Sequence, residues 1–392
     1  MHIALLSAEY PPQPGGVGDY TRCLGQALAA EHQLSIVTGY AGRVTRVELH
    51  GAEPGNRQSS IVNRQLPWGW SCWGDVIAAL HATRPAVLHI QYQTGAYGMH
   101  PAINFLPWRL RRLRHRPAVV VTFHDLLEPY LFPKAGPLRR WVTLRLARDA
   151  DAVIVTNEAD ARQLRHANLA TPLATIPIGS NIAVAPPPGY GRAAWRERLG
   201  LSPNHVLVAY FGLLSQSKGV DVLLDSLATL DPSFHLLIVG GAATTAQDSA
   251  YAAGVERQIE RLGLGQRVTI TGQVDAATVS AHLLAADLVA LPFRDGASFR
   301  RGSLLAALAH GCPIVTTGSD GNAPGLVDGE QALLVPAGDL VALAAALWRL
   351  AHDAPLAQRL RAGAQALGQQ FSWPDIARRH VELYERLVSA RH

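Results

Sequence analysis

The chain has 392 residues, of which 48% are hydrophobic and 17% charged, with a formal net charge of +5. This length and apolar content exclude a disordered chain and point to two folded domains. Cys23, Cys72 and Cys312 are odd in number and widely spaced, which excludes a disulfide framework and zinc-ligand spacing and fits a reducing compartment.

The N-terminus, Met1 to Glu9, lacks a cationic segment and turns polar early, so it does not read as a signal peptide. No apolar run approaches the roughly 20 residues of a membrane helix. The first half carries near-continuous apolar runs at His2–Ala8, Leu34–Thr38, Val87–Tyr92, Ala118–His124, Ala152–Thr156 and Ala174–Ile178. Such runs mark strands buried on both faces. Helical patterns over Val17–Ala30 and Trp141–Arg148 lie between them, and the alternation predicts a parallel sheet.

Ala185-Pro-Pro-Pro-Gly-Tyr-Gly191 then breaks the pattern and reads as an interdomain linker. Strands resume at Val206–Phe211, His235–Val239, Val268–Thr271, Leu288–Pro292, Pro313–Thr317 and Ala332–Val335, and a helix closes the chain over Trp373–Val388. The expected division is an α/β domain over 1–184, a linker over 185–192, a second α/β domain over 193–372, and a C-terminal helix, 373–392. In open α/β sheets ligands bind beyond the carboxyl ends of the strands, so the loops after strands are where chemistry is expected.

Three of those loops stand out. After the first strand, Glu9-Tyr-Pro-Pro-Gln-Pro-Gly15-Gly16-Val-Gly-Asp19 leads into a helix. It reads as a phosphate cradle at a helix N-terminus or as a tight turn that needs glycine. His124 and Asp125 end the strand that starts at Ala118; His124 is either a donor facing a ligand or a structural histidine. Arg294, Asp295, Ser298, Arg300, Arg301, Gly302 and Ser303 form a cationic loop before an Ala/Leu helix, suited to anionic or hydroxyl-rich ligands. Lys218 is one of only two lysines among 35 Lys and Arg. It sits between a strand and a helix start, where a compact ammonium can meet a phosphate. Gln91, Tyr92, Gln93 and Tyr97 follow a strand and are candidates for stacking on a carbohydrate or for a wall of the site.

The arginine-rich stretches Trp108–Arg116 and Leu138–Arg148 read as amphipathic helices with wet arginine faces, or as a surface for anionic lipid. No nucleic-acid-binding motif accompanies the charge.

Five stretches together resemble the retaining glycosyltransferases of family 4, with the GT-B fold. They are Pro-Pro-x-x-Gly-Gly-x-Gly at Pro11–Gly18, Thr122-Phe-His-Asp125, Ile176-Pro-Ile-Gly-Ser-Asn181, Phe211-Gly-Leu-x4-Lys-Gly219, and Ala307-Leu-Ala-His-Gly-Cys-Pro-Ile-Val315. The resemblance implies two Rossmann-like domains facing a central cleft. It implies a nucleotide-sugar donor held mainly by the second domain, an acceptor held mainly by the first, and no metal or cofactor. Lys218 and His124 would be catalytic. Gly15, Gly16, Gly212, Asp295, Ser298, Arg300, Arg301, Gly302 and Ser303 would serve the donor, and Asp19, Gln91 and Tyr92 the acceptor side. The resemblance further implies that the C-terminal helix packs back on the first domain; the cysteine usage fits a cytoplasmic protein, and the arginine-rich stretches offer peripheral contact with an anionic membrane.

The chain departs from the family where Leu213 stands for an expected arginine. Ser298 and Ala306 stand for two expected glutamates. The resemblance implies a variant subgroup with Arg300-Arg301-Gly302-Ser303 at this place, and the three arginines of the loop make Arg300 or Arg301 the expected replacement for the missing cation. A non-catalytic nucleotide-sugar binder and a sugar-nucleotide epimerase remain as other readings.

Overall fold

The computed structural model describes residues 1–13, 15–39, 60–63, 68–126, 136–241, 246–319, 321 and 323–391. The chain separates into two compact units, Met1–Ile178 with Trp373–His392, and Gly179–Ser372. The Pro/Gly stretch 185–192 therefore lies inside the second unit, where the Ala185 N–H donates to Ser280 Oγ at 3.1 Å.

The first unit is built on seven strands: β1 His2–Ser7, β2 Gln33–Thr38, β3 Ser60–Asn63, β4 Val87–Tyr92, β5 Ala118–Phe123, β6 Ala152–Val155 and β7 Leu173–Thr175. They form one sheet in the order β3-β2-β1-β4-β5-β6-β7. All its pairings are parallel; Ile3, for example, pairs with Leu34 on one side and Val87 on the other. The second unit has β8 Val206–Gly212, β9 Phe234–Gly240, β10 Val268–Ile270, β11 Leu288–Leu291, β12 Ile314–Thr317 and β13 Leu333–Val335, ordered β10-β9-β8-β11-β12-β13 and also parallel. Two Rossmann-like units of this kind are the α/β GT-B class. In each sheet the strand order reverses once, between β1 and β4 and between β8 and β11. Loops at that reversal splay apart and leave room for a ligand.

The expected strands all form, with ends shifted by up to three residues. β3 has no counterpart among them, because Ser60-Ile-Val-Asn63 offers two apolar residues and no run. β4 and β5 are buried on both faces, with His89, Gln91 and Thr122 as buried polar residues among apolar ones.

The helix Trp373–Ser389 buries Ile376, Ala377, His380, Leu383 and Tyr384, a spacing that puts all five on one helical face. That face joins Tyr20, Leu24 and Leu28 of the helix Gly16–Ala29 in one core cluster. The stretch Trp108–Arg116 is not a continuous helix. The helix Leu106–Leu110 stops first, and Arg116 precedes Pro117, which disfavours helical backbone at that residue. The second arginine-rich stretch lies in the helix Gly136–Asp149.

Candidate functional site

In the second unit the loops after β8 and β11, the two strands at the reversal, carry the charged residues. After β8 the chain makes one 3-10 turn, Gln216–Lys218, and enters the helix Val220–Thr229 through Gly219. Gly219 has φ 70°, and a Cβ there would lie 2.1 Å from the Pro292 carbonyl oxygen. No other residue fits, since both the backbone region and the contact exclude a side chain. This close approach binds the Lys218 turn to the β11 loop. The Arg294 N–H adds a hydrogen bond to the Ser217 carbonyl at 2.9 Å.

Two cations meet over one ring. Lys218 Nζ is 5.2 Å and Arg301 Cζ 4.2 Å from the Phe293 ring centroid. Cations are attracted to an aromatic face at these distances. Burial, with the positive charge of Arg301 second, pulls Lys218 down to about 8; Asp295 opposes the shift. Arg301 donates to Asp295 and stays mostly covered, with 14% of its side chain exposed. Asp295 is open to solvent.

Among the described residues Arg301 Nε and Ser303 Oγ are buried without a hydrogen-bond partner. Arg301 is also the N-cap of the helix Gly302–Ala309, and no side chain caps that helix. Its first-turn N–H groups lack intrahelical acceptors. The result is a seat of two cations, orphaned donors and a helix N-terminus, which suits an anion with several oxygens. An open hollow of about 460 Å³ adjoins it, lined by Arg294, Asp295, Gly296, Gly318, Val335 and Pro336 among others.

Of the two arginines that sequence could not separate, the structure brings Arg301 to Lys218, whereas Arg300 is exposed. Ser298 serves its own loop, accepting from the Arg300 and Arg301 N–H groups through Oγ and carbonyl respectively. Leu213 is 43% exposed. Its carbonyl accepts from the Tyr210 hydroxyl at 2.8 Å, and Gly212 ends β8. Arg294 pairs with Asp221. Phe293, which holds the two cations, carried no sequence signal beyond its place after a strand.

In the first unit Gly15 caps the helix Gly16–Ala29 in extended backbone. The Glu9 carboxylate lies against Gly15, where a Cβ would sit 1.9 Å from Oε2 and displace it. Glu9 was missed by sequence reasoning, although it is the single carboxylate between β1 and Gly15. Burial raises its carboxyl, and the Gly18 N–H partly offsets this. Gly16 is exposed at the helix start, and Asp19 pairs with Arg22 at 3.6 Å.

His124 follows β5 and is partly exposed. Its Nε2–H donates to Gln91 Oε1 at 2.9 Å, and its ring meets the edge of Tyr20 at 4.7 Å. Gln91 Nε2 donates to His89 Nδ1 at 3.2 Å, while Tyr384 Oη lies 2.6 Å from the same nitrogen. His89 Nε2 is 2.7 Å from Thr122 Oγ1. Burial, reinforced by His380 and His124, drives His89 well below the usual imidazole range, so its ring is neutral. His380 is likewise lowered to about 4, by burial first. Its Nδ1–H donates to the Ile376 carbonyl at 2.7 Å, which leaves Nε2 to accept from the Tyr20 hydroxyl at 3.3 Å.

This buried chain corrects the acceptor-side reading of two residues. Gln91 and Tyr92 are fully buried within β4. Gln91 holds His124, and the Tyr92 hydroxyl accepts from Asn104 Nδ2 at 3.0 Å. Tyr97 is buried too. Gln93 is partly exposed. Both polar residues sit in a strand covered on both faces, where their polar atoms are paired internally.

Among the described residues no group of three His, Cys, Asp or Glu side chains gathers to hold a metal. No single described helix is long and apolar enough to cross a membrane.

Known proteins match both units. A family model described as Glycosyl transferase 4-like domain covers residues 15–179, and one described as Glycosyl transferases group 1 covers 205–353. A D-inositol 3-phosphate glycosyltransferase of Jonesia denitrificans is 28% identical over 62% of this chain; the match spans 58% of that relative's length. A phosphatidyl-myo-inositol mannosyltransferase of Mycobacterium leprae is 31% identical over 69% of this chain and 68% of its own length. Among solved structures, sucrose-phosphate synthase of Thermosynechococcus elongatus superposes with a TM-score of 0.70 at 25% identity, covering all of both chains. Anabaena HepE in complex with UDP gives 0.74 at 22% identity, over 98% of this chain and 100% of its own.

Proposed function

The chain belongs to the glycosyl transferase family whose group 1 and 4-like models it matches, and from that premise we propose that it moves a sugar from a nucleotide-sugar donor to a glycosyl acceptor. The observation that carries the proposal is the Lys218–Arg301 pair on Phe293, with Ser303 Oγ and Arg301 Nε unpaired beside a helix N-terminus. HepE, similar in fold, was solved with UDP and with UDP-glucose; the donor diphosphate is here assigned to the Lys218–Arg301 seat in the second unit.

Breaking a glycosyl–phosphate bond leaves negative charge on the diphosphate and positive character on the sugar. Fixed cations and N–H dipoles at the phosphate stabilise that charge as it develops. Lys218 and Arg301 take the diphosphate, with the N–H groups of Gly302 and Ser303. Gly212 keeps the strand end slim, and Asp295 holds Arg301 in place. Ser298 and Arg300 shape the loop. In the first unit Gly15 and Gly16 begin a helix whose N–H groups suit an anion, and His124, oriented by Gln91, offers a polar contact to a sugar hydroxyl. The acceptor is assigned to the first unit, with Asp19 at its edge.

The departing phosphate takes the acceptor proton on the face it leaves. The sugar–phosphate C–O bond breaks and the sugar–acceptor bond forms on that same face, so configuration is retained. No metal or cofactor takes part in this scheme. The exposed Leu138 and Trp141 beside Arg139 and Arg140 support peripheral contact with an anionic cytoplasmic membrane surface.

A thermal-shift panel of nucleotide sugars tests the donor assignment, since a ligand selective for the folded state raises stability. The product of the stabilising donor is then read for anomeric configuration by NMR. A donor that stabilises wild type and Lys218→Ala alike counts against the seat, and an inverted product refutes the same-face mechanism.

A further inference from the structure

The first unit carries a second cationic hollow, at the opposite end of its sheet. It is open, of about 760 Å³, and its lining includes Arg84, Arg114, Arg116, Arg391, His81 and His115. Among the described residues no carboxylate side chain lines it. Ala86 and Pro117, which also line it, immediately precede β4 and β5. His124 lies at the other end of β5, after roughly 20 Å of strand at 3.3 Å per residue. The hollow is therefore separate from the loops assigned above, and nothing in the proposed reaction uses it.

Its charge is neutralised only in part. Asp151 is the carboxylate behind it, and that group is already saturated. Arg116 Nη1 and Nη2 donate to its two oxygens at 3.2 and 2.9 Å. The Val119 N–H and Arg391 Nη2 both donate to Oδ2 at 2.6 Å. Among the described residues Arg84 and Arg114 have no carboxylate partner. Arg116 Nε is buried with no partner at all.

Arg84 is also costly where it stands. It closes the helix Cys72–Thr83 at φ 44°, ψ 55°, the left-handed position that glycine normally fills. An exposed arginine there brings guanidinium to the hollow at the expense of backbone strain. The volume is that of an ordinary ligand pocket. Guanidinium groups without carboxylates match phosphate oxygens in geometry and charge.

We propose that this hollow binds a phosphate-bearing ligand, a diphosphate or phosphate monoester, through Arg84 and Arg114, beside Arg116. The phosphate belongs either to a soluble ester or to a lipid headgroup. This proposal does not depend on the function assigned to Lys218.

The test is calorimetric titration of the full chain with inorganic pyrophosphate at low ionic strength, in a Lys218→Ala background that weakens the other anion seat. Saturable binding is expected there. Adding Arg84→Gly and Arg114→Ala should weaken it at least tenfold. Glycine suits φ 44°, so this variant should melt no lower than its parent. Arg114→Ala alone, at an exposed side chain, should weaken binding in the same direction. Absence of saturable binding in Lys218→Ala, or equal affinity with and without the arginine changes, overturns the proposal. Sedimentation with phosphatidic acid vesicles separates the sources: loss of vesicle binding in the Arg84/Arg114 variant assigns a headgroup, and unchanged vesicle binding assigns a soluble ester.

Discussion

Lys218 gives the proposed donor seat a pH signature. With burial and Arg301 holding it at about 8, the side chain is about nine-tenths charged at pH 7 and about one-tenth charged at pH 9. A diphosphate bound against it favours the charged form and raises that value. Affinity is then full below the unliganded value and falls as pH rises through it. Between pH 7 and pH 9 the charged fraction drops about tenfold, which is ~1.4 kcal/mol of binding. Phosphate's own last ionisation, near pH ~6, is complete over this range and does not contribute. The assay is titration with the nucleoside diphosphate that best stabilises the protein, from pH 7 to 10. Arg301→Met removes the second cause of the shift and should move the fall to higher pH, while burial still keeps Lys218 below its ordinary 10.5. A flat profile over pH 7–9.5, or the same profile in Lys218→Ala, would refute the reasoning.

Other outcomes follow from the same geometry. Lys218→Arg should cut turnover at least tenfold, because a second planar guanidinium must share Phe293 with Arg301; steady-state kinetics with the identified donor checks this. Gly219→Ala should destabilise the second unit by about 3 kcal/mol, combining left-handed strain with the Pro292 contact, and denaturant unfolding reads it. His380 is buried and neutral with a value of about 4. Between that and the unfolded value of 6.5 the unfolded chain binds more protons, so stability falls as pH drops from about 6.5 toward 4. Urea melts at pH 7 and 4.5 should show the loss, and His380→Gln should remove on the order of 3 kcal/mol of that pH dependence. Gln91→Leu removes the acceptor of His124 Nε2–H and should lower kcat more than it raises KM. An equal effect on stability with unchanged kcat would count against Gln91 as a positioning residue.

Much of this architecture is written locally in the chain. Runs such as Val119-Val-Val in β5 can only be strands covered on both faces, and the alternation with helices dictates parallel sheets. Lys218 was visible through its rarity and its place between strand and helix. The misreadings share a cause, which is that partners far apart in sequence decide what a polar residue does. Gln91 looked like an acceptor contact because nothing local shows that its amide spans His124 and His89, the latter bonded to Tyr384 some 295 positions away. Arg300 and Arg301 were indistinguishable until the cap geometry turned one onto Phe293 and left the other in solvent. The stretch 108–116 kept a helical spacing of arginines after the helix itself had ended at Leu110. Arg84 and Arg114 share a hollow because two strands place the residues before β4 and β5 side by side, which no single window of sequence contains.

The central claim is tested most directly by a crystal structure of the chain with its preferred nucleoside diphosphate bound. The account predicts the terminal phosphate within hydrogen-bond reach of Lys218 Nζ and the Gly302–Ser303 N–H groups, with Arg301 Nε now partnered. A terminal phosphate bound away from Lys218 and Arg301, with both side chains placed as they are now, would contradict it.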